Sequence, residues 1–121
     1  MQIGTIVTRS LLATVLVATV VAAGCAARQV RIAELRGQPE RFDNETVRVT
    51  GTVTSSFGVP LLFQVYNLED GSGEISVISM SGRTPATGTR LEVTGKVGEV
   101  IVLGGRSIGL HIREEDRRIQ N

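Results

Sequence analysis

An all-β domain of five short strands, with a brief helix before it and a leader before that, is the fold this sequence predicts. Three observations carry the prediction. Between residues 46 and 112 apolar and polar residues alternate at period two in several separate stretches, the signature of strands with one buried face. Clusters of Gly, Pro, Ser and Asp part these stretches and break regular structure between them. Residues 1–24 differ in character: Arg9 gives a basic start, an apolar run extends from Leu11 to Ala23, and Ala23 and Gly24 are small, as in a secretory signal peptide.

Removing that leader leaves residues 25–121, enough for one domain and too few for two. The chain holds 13 Lys and Arg against 12 Asp and Glu, and Arg9 leaves with the leader, so the mature side chains sum to about zero. No large net charge steers polyanions. Cys25 is the only cysteine, which excludes an internal disulfide. Trp is absent, and Phe42, Phe57, Phe63 and Tyr66 are the only aromatics, so the core is predicted to be Val, Ile and Leu.

Val30, Ile32, Ala33 and Leu35 are spaced for a helix of about two turns, which Gly37 and Pro39 are expected to end. Thr46 to Thr54 alternates, with Val47, Val49, Gly51 and Val53 on one side and Arg48, Thr50, Thr52 and Thr54 on the other. Ser55 to Pro60 reads as a loop, and Leu61 to Glu69 as a second strand with two apolar faces. On one face lie Leu62, Tyr66 and Leu68 with Gln64; on the other lie Leu61, Phe63 and Val65 with Asn67. Asp70-Gly-Ser-Gly73 is a turn, because Gly supplies positive φ without steric cost, and Glu74 to Met80 completes a hairpin. Gly82, Pro85 and Gly88 exclude a helix over 81–89. Arg90 to Leu103 is a long fourth strand, Gly104-Gly105 a turn, and Arg106 to Ile112 a fifth strand with Ile108, Leu110 and Ile112 inward and His111 outward. Residues 114–121 read as a solvated charged tail.

Three of these stretches resemble the OB-fold, a five-stranded Greek-key barrel. Val47-Arg-Val-Thr-Gly51-Thr-Val53 is similar to its first strand, where a mid-strand Gly lets the backbone coil. Tyr66-Asn-Leu68-Glu-Asp70-Gly-Ser72-Gly73-Glu-Ile75-Ser-Val77 resembles its hairpin, and Pro85 to Val97 resembles its fourth strand and the approach to it. Ile32 to Phe42 is similar to the helix that precedes many small bacterial OB domains. OB domains often plug the barrel with a helix between strands three and four; residues 81–89 supply none, so the N-terminal helix, through Ile32 and Leu35, is expected to do so. Ala22-Ala-Gly-Cys25 resembles the lipobox of bacterial lipoproteins, which implies acylation of Cys25. An uncleaved membrane helix is the alternative, but Arg9 interrupts a run already short for a span. The expected organisation is a signal peptide (1–24), a lipidated tether (25–29), an OB-fold domain with its helix (30–113) and the charged tail (114–121). Ala26, where Asp would imply inner-membrane retention, points to the outer membrane in a Gram-negative host.

The resemblance, to small periplasmic bacterial OB-fold proteins, implies a non-catalytic binding module of the cell envelope, lipid-anchored and facing the periplasm. OB domains bind with the outer face of strands two and three and the adjoining loops. Here that face is expected to comprise Phe57, Leu61, Phe63, Val65, Asn67 and Ser76, with Arg48 and Thr50 beside them. An apolar, weakly charged face suits a protein, peptide or glycan; equally, a loop at 55–60 would cover Phe63 and Val65. Nucleic acid is the alternative ligand and reads as unlikely: over residues 45–112 five Lys and Arg face six Asp and Glu, and Tyr66 is assigned to the core. Enzyme chemistry finds no support. His111 is the sole His, no Gly-x-Ser-x-Gly elbow exists, and no second His or Cys accompanies it for a metal. Haem-carrying OB proteins attach haem through a His followed closely by Tyr, whereas Ile112 to Glu115 follow His111. No metal and no cofactor is expected; Glu69 and Asp70 read as turn residues, not calcium ligands.

Overall fold

A computed structural model describes residues 27–59, 61–80 and 83–120. Cys25 and the whole leader lie outside the described residues, as does Pro60. The elements are β1 (Arg28–Gln29), α1 (Ile32–Gly37), α2 (Pro39–Phe42), β2 (Thr46–Val59), β3 (Phe63–Glu69), β4 (Glu74–Ser79), β5 (Arg90–Gly98), β6 (Ile101–Leu103), β7 (Arg106–Ile108) and β8 (His111–Ile119). Sheet order runs β1-β2-β3-β4-β8-β5, and β5 pairs back onto β2, which closes a five-stranded barrel of β2, β3, β4, β8 and β5. The β4–β8 pairing is parallel and the other barrel pairings are antiparallel. This is the OB-fold, with the expected N-terminal helix. Closure leaves no open sheet edge around the five-strand ring.

Inward alternation builds the core. Val47, Val49 and Val53 of β2, Tyr66 and Leu68 of β3, Ile75 and Val77 of β4, Leu91, Val93 and Val97 of β5 and Ile112 of β8 are all buried together. Each such aliphatic side chain contributes about 1.5–3 kcal/mol of transfer free energy. Ile32 and Leu35 of α1, both fully buried, fill one end of the barrel. Among the described residues no helix lies between β4 and β5. Two glycines permit closure: a Cβ on Gly51 would stand 2.6 Å from the Glu69 carbonyl oxygen, and one on Gly95 would strike the Arg113 carbonyl.

The Asp70 turn holds the plug in place. Asp70 Oδ2 accepts from the Ile32 N–H at 2.9 Å and Ser72 Oγ accepts from the Ala33 N–H at 3.0 Å, so two orphan donors of a short helix are satisfied from the β3–β4 hairpin. Burial pushes the Asp70 carboxyl up, but hydrogen bonds from Ile32, Ser72 and Gly73 outweigh it and hold the group below its ordinary range.

Several elements depart from expectation. The first helix ends at Gly37 as expected, but Pro39 also opens a second one: it occupies the first turn of α2, where its missing N–H is harmless. The loop expected at 55–60 continues β2 through Val59, past a register shift between Val53 and Ser55. Leu61 and Leu62 form the turn, and β3 begins at Phe63. The long fourth strand divides into β5 and β6, and the predicted fifth strand divides into β7 and the start of β8. Residues 114–119, expected as tail, form the rest of β8 and pair with β5. Arg28 and Gln29 of the expected tether pair with Val47 and Arg48.

Candidate functional site

Register sets two rows of side chains side by side across β2, β3 and β4. One row is polar: Ser55 pairs with Asn67, Asn67 with Ser76, and Ser76 with His111. The other is apolar: Phe57 pairs with Val65, and Val65 with Ile78. The connection between β5 and β8 carries the β6–β7 hairpin, a separate two-stranded sheet, and lays it over the apolar row. Phe63, Val65, Ile78 and Ile108 form a second buried cluster, with Phe57, Ile101 and Leu103 packed against it.

An open cleft of about 380 Å³ remains between hairpin and barrel. Asn67 and Ser76 are at its floor, Ser55, Ser56 and Phe57 on the β2 side, and Arg106 to Gly109 on the hairpin side. Asn67 Nδ2 donates to Ser55 Oγ at 3.2 Å, and Ser76 Oγ donates to Asn67 Oδ1 at 2.9 Å. Within that chain of bonds the Ser55 hydroxyl proton and the Ser76 oxygen lone pairs are not used. Arg106 lies over the Phe57 ring, 4.4 Å from guanidinium carbon to centroid, and Phe63 meets Phe57 edge to face at 6.4 Å. Arg106 is the one charged residue among those lining the cleft. The cleft can accept a planar polar group, offering hydrogen bonds along one edge and a cationic stacking surface beside it.

Of the expected face, Phe57, Val65, Asn67 and Ser76 come together here. Phe63 and Val65 are buried, not displayed, and their cover is the hairpin instead of a 55–60 loop. Arg48 and Thr50 lie on the half of β2 paired with β5, where Arg48 stands 3.9 Å from Glu92, and neither lines the cleft. Leu61 is fully exposed at the turn, in the left-handed region at φ 68°. Sequence reading missed Ser55, Ser56 and Arg106 to Gly109; the Gly104-Gly105 turn between two short apolar stretches was the available signal for the hairpin. His111, expected on the surface, is 2% exposed: its ring rests against Gly98, which has no side chain to exclude it, and Nδ1 donates to the Gly109 carbonyl at 2.8 Å.

A second polar cluster sits inside the barrel wall. Tyr66, as expected, is in the core; its hydroxyl donates to Glu114 Oε1 at 2.5 Å, while Ser79 donates to Glu114 Oε2 at 2.8 Å. Arg117 stands 3.7 Å from Glu114 and donates to the Arg83 carbonyl. Burial first, and then Glu114, drive the Tyr66 phenol far above its ordinary range. Glu114 thus accepts from both Tyr66 and Ser79, and Arg117 Nη1, buried without a hydrogen-bond partner, faces it only as an ion pair.

No protein-family model and no curated protein matches the sequence. Among solved structures, the fold is similar to asparaginyl-tRNA synthetase from Pyrococcus horikoshii, with a TM-score of 0.60 and 18% identity over 78% of this chain and 23% of that one. It is also similar to a protein described as aspartyl-tRNA synthetase from Leishmania major Friedlin, with a TM-score of 0.59 and 14% identity over 78% of this chain and 21% of that one. The chain thus matches less than a quarter of either protein's length, and the likeness is one of fold.

Proposed function

We propose that this chain is a non-catalytic OB-fold binding module whose cleft holds a short stretch of single-stranded nucleic acid. The observation that carries this reading is the Arg106–Phe57 pair at the mouth of a cleft floored by Asn67, Ser55 and Ser76. Single-strand binding combines a stacking platform, a cation for the phosphates and polar groups for base edges. The case for an apolar protein-docking face weakens because Phe63 and Val65 are covered. Fold likeness to two tRNA synthetases agrees with a nucleic-acid ligand. A neutral glycan or peptide is the second reading, favoured by the scarcity of charge: one Arg lines the cleft.

Fluorescence anisotropy with a labelled oligothymidine tests the choice. Nucleic-acid binding predicts saturable affinity that falls with salt, with a slope of roughly 0.7 per phosphate contacted, and weaker binding in Phe57→Ala and Arg106→Glu. Absence of saturable binding at low salt, with neutral oligosaccharides bound instead, contradicts it.

We further propose that Cys25 is acylated and holds the domain at the bacterial cell envelope, facing the periplasm. The lipobox-like Ala22 to Cys25 supports this. Metabolic labelling with an alkynyl fatty acid is expected to mark the native chain and not Cys25→Ser; equal labelling of both contradicts it.

A further inference from the structure

The β6–β7 hairpin is bound to the barrel differently from every strand of the ring. Its three register pairs, Ile101 with Ile108, Val102 with Ser107 and Leu103 with Arg106, all lie within the hairpin itself. None of the described backbone hydrogen bonds joins it to the barrel. What holds it is side-chain packing on Phe63, Val65 and Ile78, the Arg106–Phe57 stack, and the His111 bond to Gly109 at its exit. A two-stranded hairpin alone is marginal in water, so its closed position depends on that small satellite cluster and opens more readily than the core.

What lies beneath it continues the open cleft inward: Phe57 and Val65 line the cleft, and Phe63 and Ile78 lie beyond them under the hairpin. Phe57, Val65 and Ile78 form a continuous apolar row across β2, β3 and β4, with Phe63 beside it. In the closed position Arg106 occupies the face of Phe57 that a base would otherwise take. Two aromatic rings meeting at 6.4 Å would then lie beside the polar edge of Asn67 and Ser76 once the hairpin moved away. Opening therefore exchanges aliphatic contacts made by Ile101, Leu103 and Ile108 for stacked bases, and frees Arg106 for the phosphates.

We propose that the β6–β7 hairpin is a displaceable lid, and that single-stranded nucleic acid displaces it to stack bases on Phe57 and Phe63. This rests on the nucleic-acid reading of the cleft and adds to it a second, covered half of the site. It also implies a penalty on affinity, since only the open fraction binds fully. Loosening the lid without touching the apolar row is therefore expected to tighten binding.

Thiol reactivity separates the lid from the ligand. In the Cys25→Ser chain, Ile78→Cys places a thiol under the lid and outside the cleft lining, while Val93→Cys places one in the main core. Lid opening predicts that the first reacts with an aromatic disulfide reagent roughly a hundredfold faster than the second, faster again with Leu103→Ser, and that oligothymidine changes its rate while leaving that of Val93→Cys unaltered. Leu103→Ser is also expected to bind oligothymidine several-fold more tightly than the native sequence. Reaction of both thiols at one common rate overturns the lid. Fast reaction under the lid with no response to oligothymidine that anisotropy shows to be bound overturns displacement by nucleic acid and leaves the cleft reading standing, whereas no response and no binding overturns both.

Discussion

Asp70 and Tyr66 show how little a residue's type says about its task. Two acids in a glycine-rich turn invite a metal reading, yet Asp70 spends its carboxylate on the N–H of Ile32 and on Ser72. Removing such a cap costs about 1 kcal/mol, so Asp70→Ala is expected to lower the urea midpoint by that equivalent with an unchanged slope. The carboxyl is held below its ordinary range, so its contribution is complete above the unfolded value near 3.9 and is lost as pH falls through the lower folded value. Acid unfolding monitored by circular dichroism checks this: the native protein loses stability below that range, and Asp70→Asn loses less there. Tyr66 is the chain's single tyrosine, so phenolate absorbance reports it alone. With its folded ionisation pushed far up by burial and by Glu114, no phenolate is expected as pH passes 10 until the protein unfolds. Stability is then lost with rising pH, because the unfolded chain releases a proton the folded one keeps.

At the scale of elements, the glycines of β2 and β5 mark where strands cross too closely for a side chain. Gly95 faces the Arg113 carbonyl at the register shift between β5 and β8. Gly95→Val is expected to destabilise by about 1–3 kcal/mol or more through overpacking, read as a lowered Tm. The first four barrel strands were legible because their inward positions are aliphatic at period two, from Val47 through Val93. The last half of β8 was not, because its inward positions hold Glu114, which accepts from Tyr66 and Ser79, and Arg117, which pairs with Glu114 as an ion. A charge run hid a strand whose buried side is an ion pair. Ser55 to Val59 was hidden for another reason: beyond the barrel, β2 pairs with β3 alone, so its residues are mostly exposed, and Ser55, Ser56 and Gly58 read as loop. The cleft followed the same pattern. Val65, Asn67 and Ser76 came from strand alternation and Phe57 from a loop expected beside them, whereas Arg106 to Gly109 depend on the hairpin packing back over the barrel, which the Gly104-Gly105 turn does not specify.

Taken together, the described residues form a closed barrel plugged by one short helix and flanked by a hairpin that walls the cleft. Closure makes the core cooperative, so Val93→Asp, which buries an unpaired charge at a fully enclosed site, is expected to abolish the folded state. Unchanged melting of that variant would remove Val93 from the core. The near-neutral charge balance limits long-range attraction of a polyanion, so the proposed ligand would be held by contact inside the cleft. Amide chemical-shift mapping of the labelled chain during titration with a short oligothymidine measures that contact residue by residue. Binding in the cleft predicts perturbations at Ser55 to Phe57, Asn67, Ser76 and Arg106 to Gly109, with α1 and the β2–β5 face around Arg48 unmoved. Shifts scattered over the basic surface residues, or no shifts at all at low salt, would contradict a nucleic-acid site at this cleft.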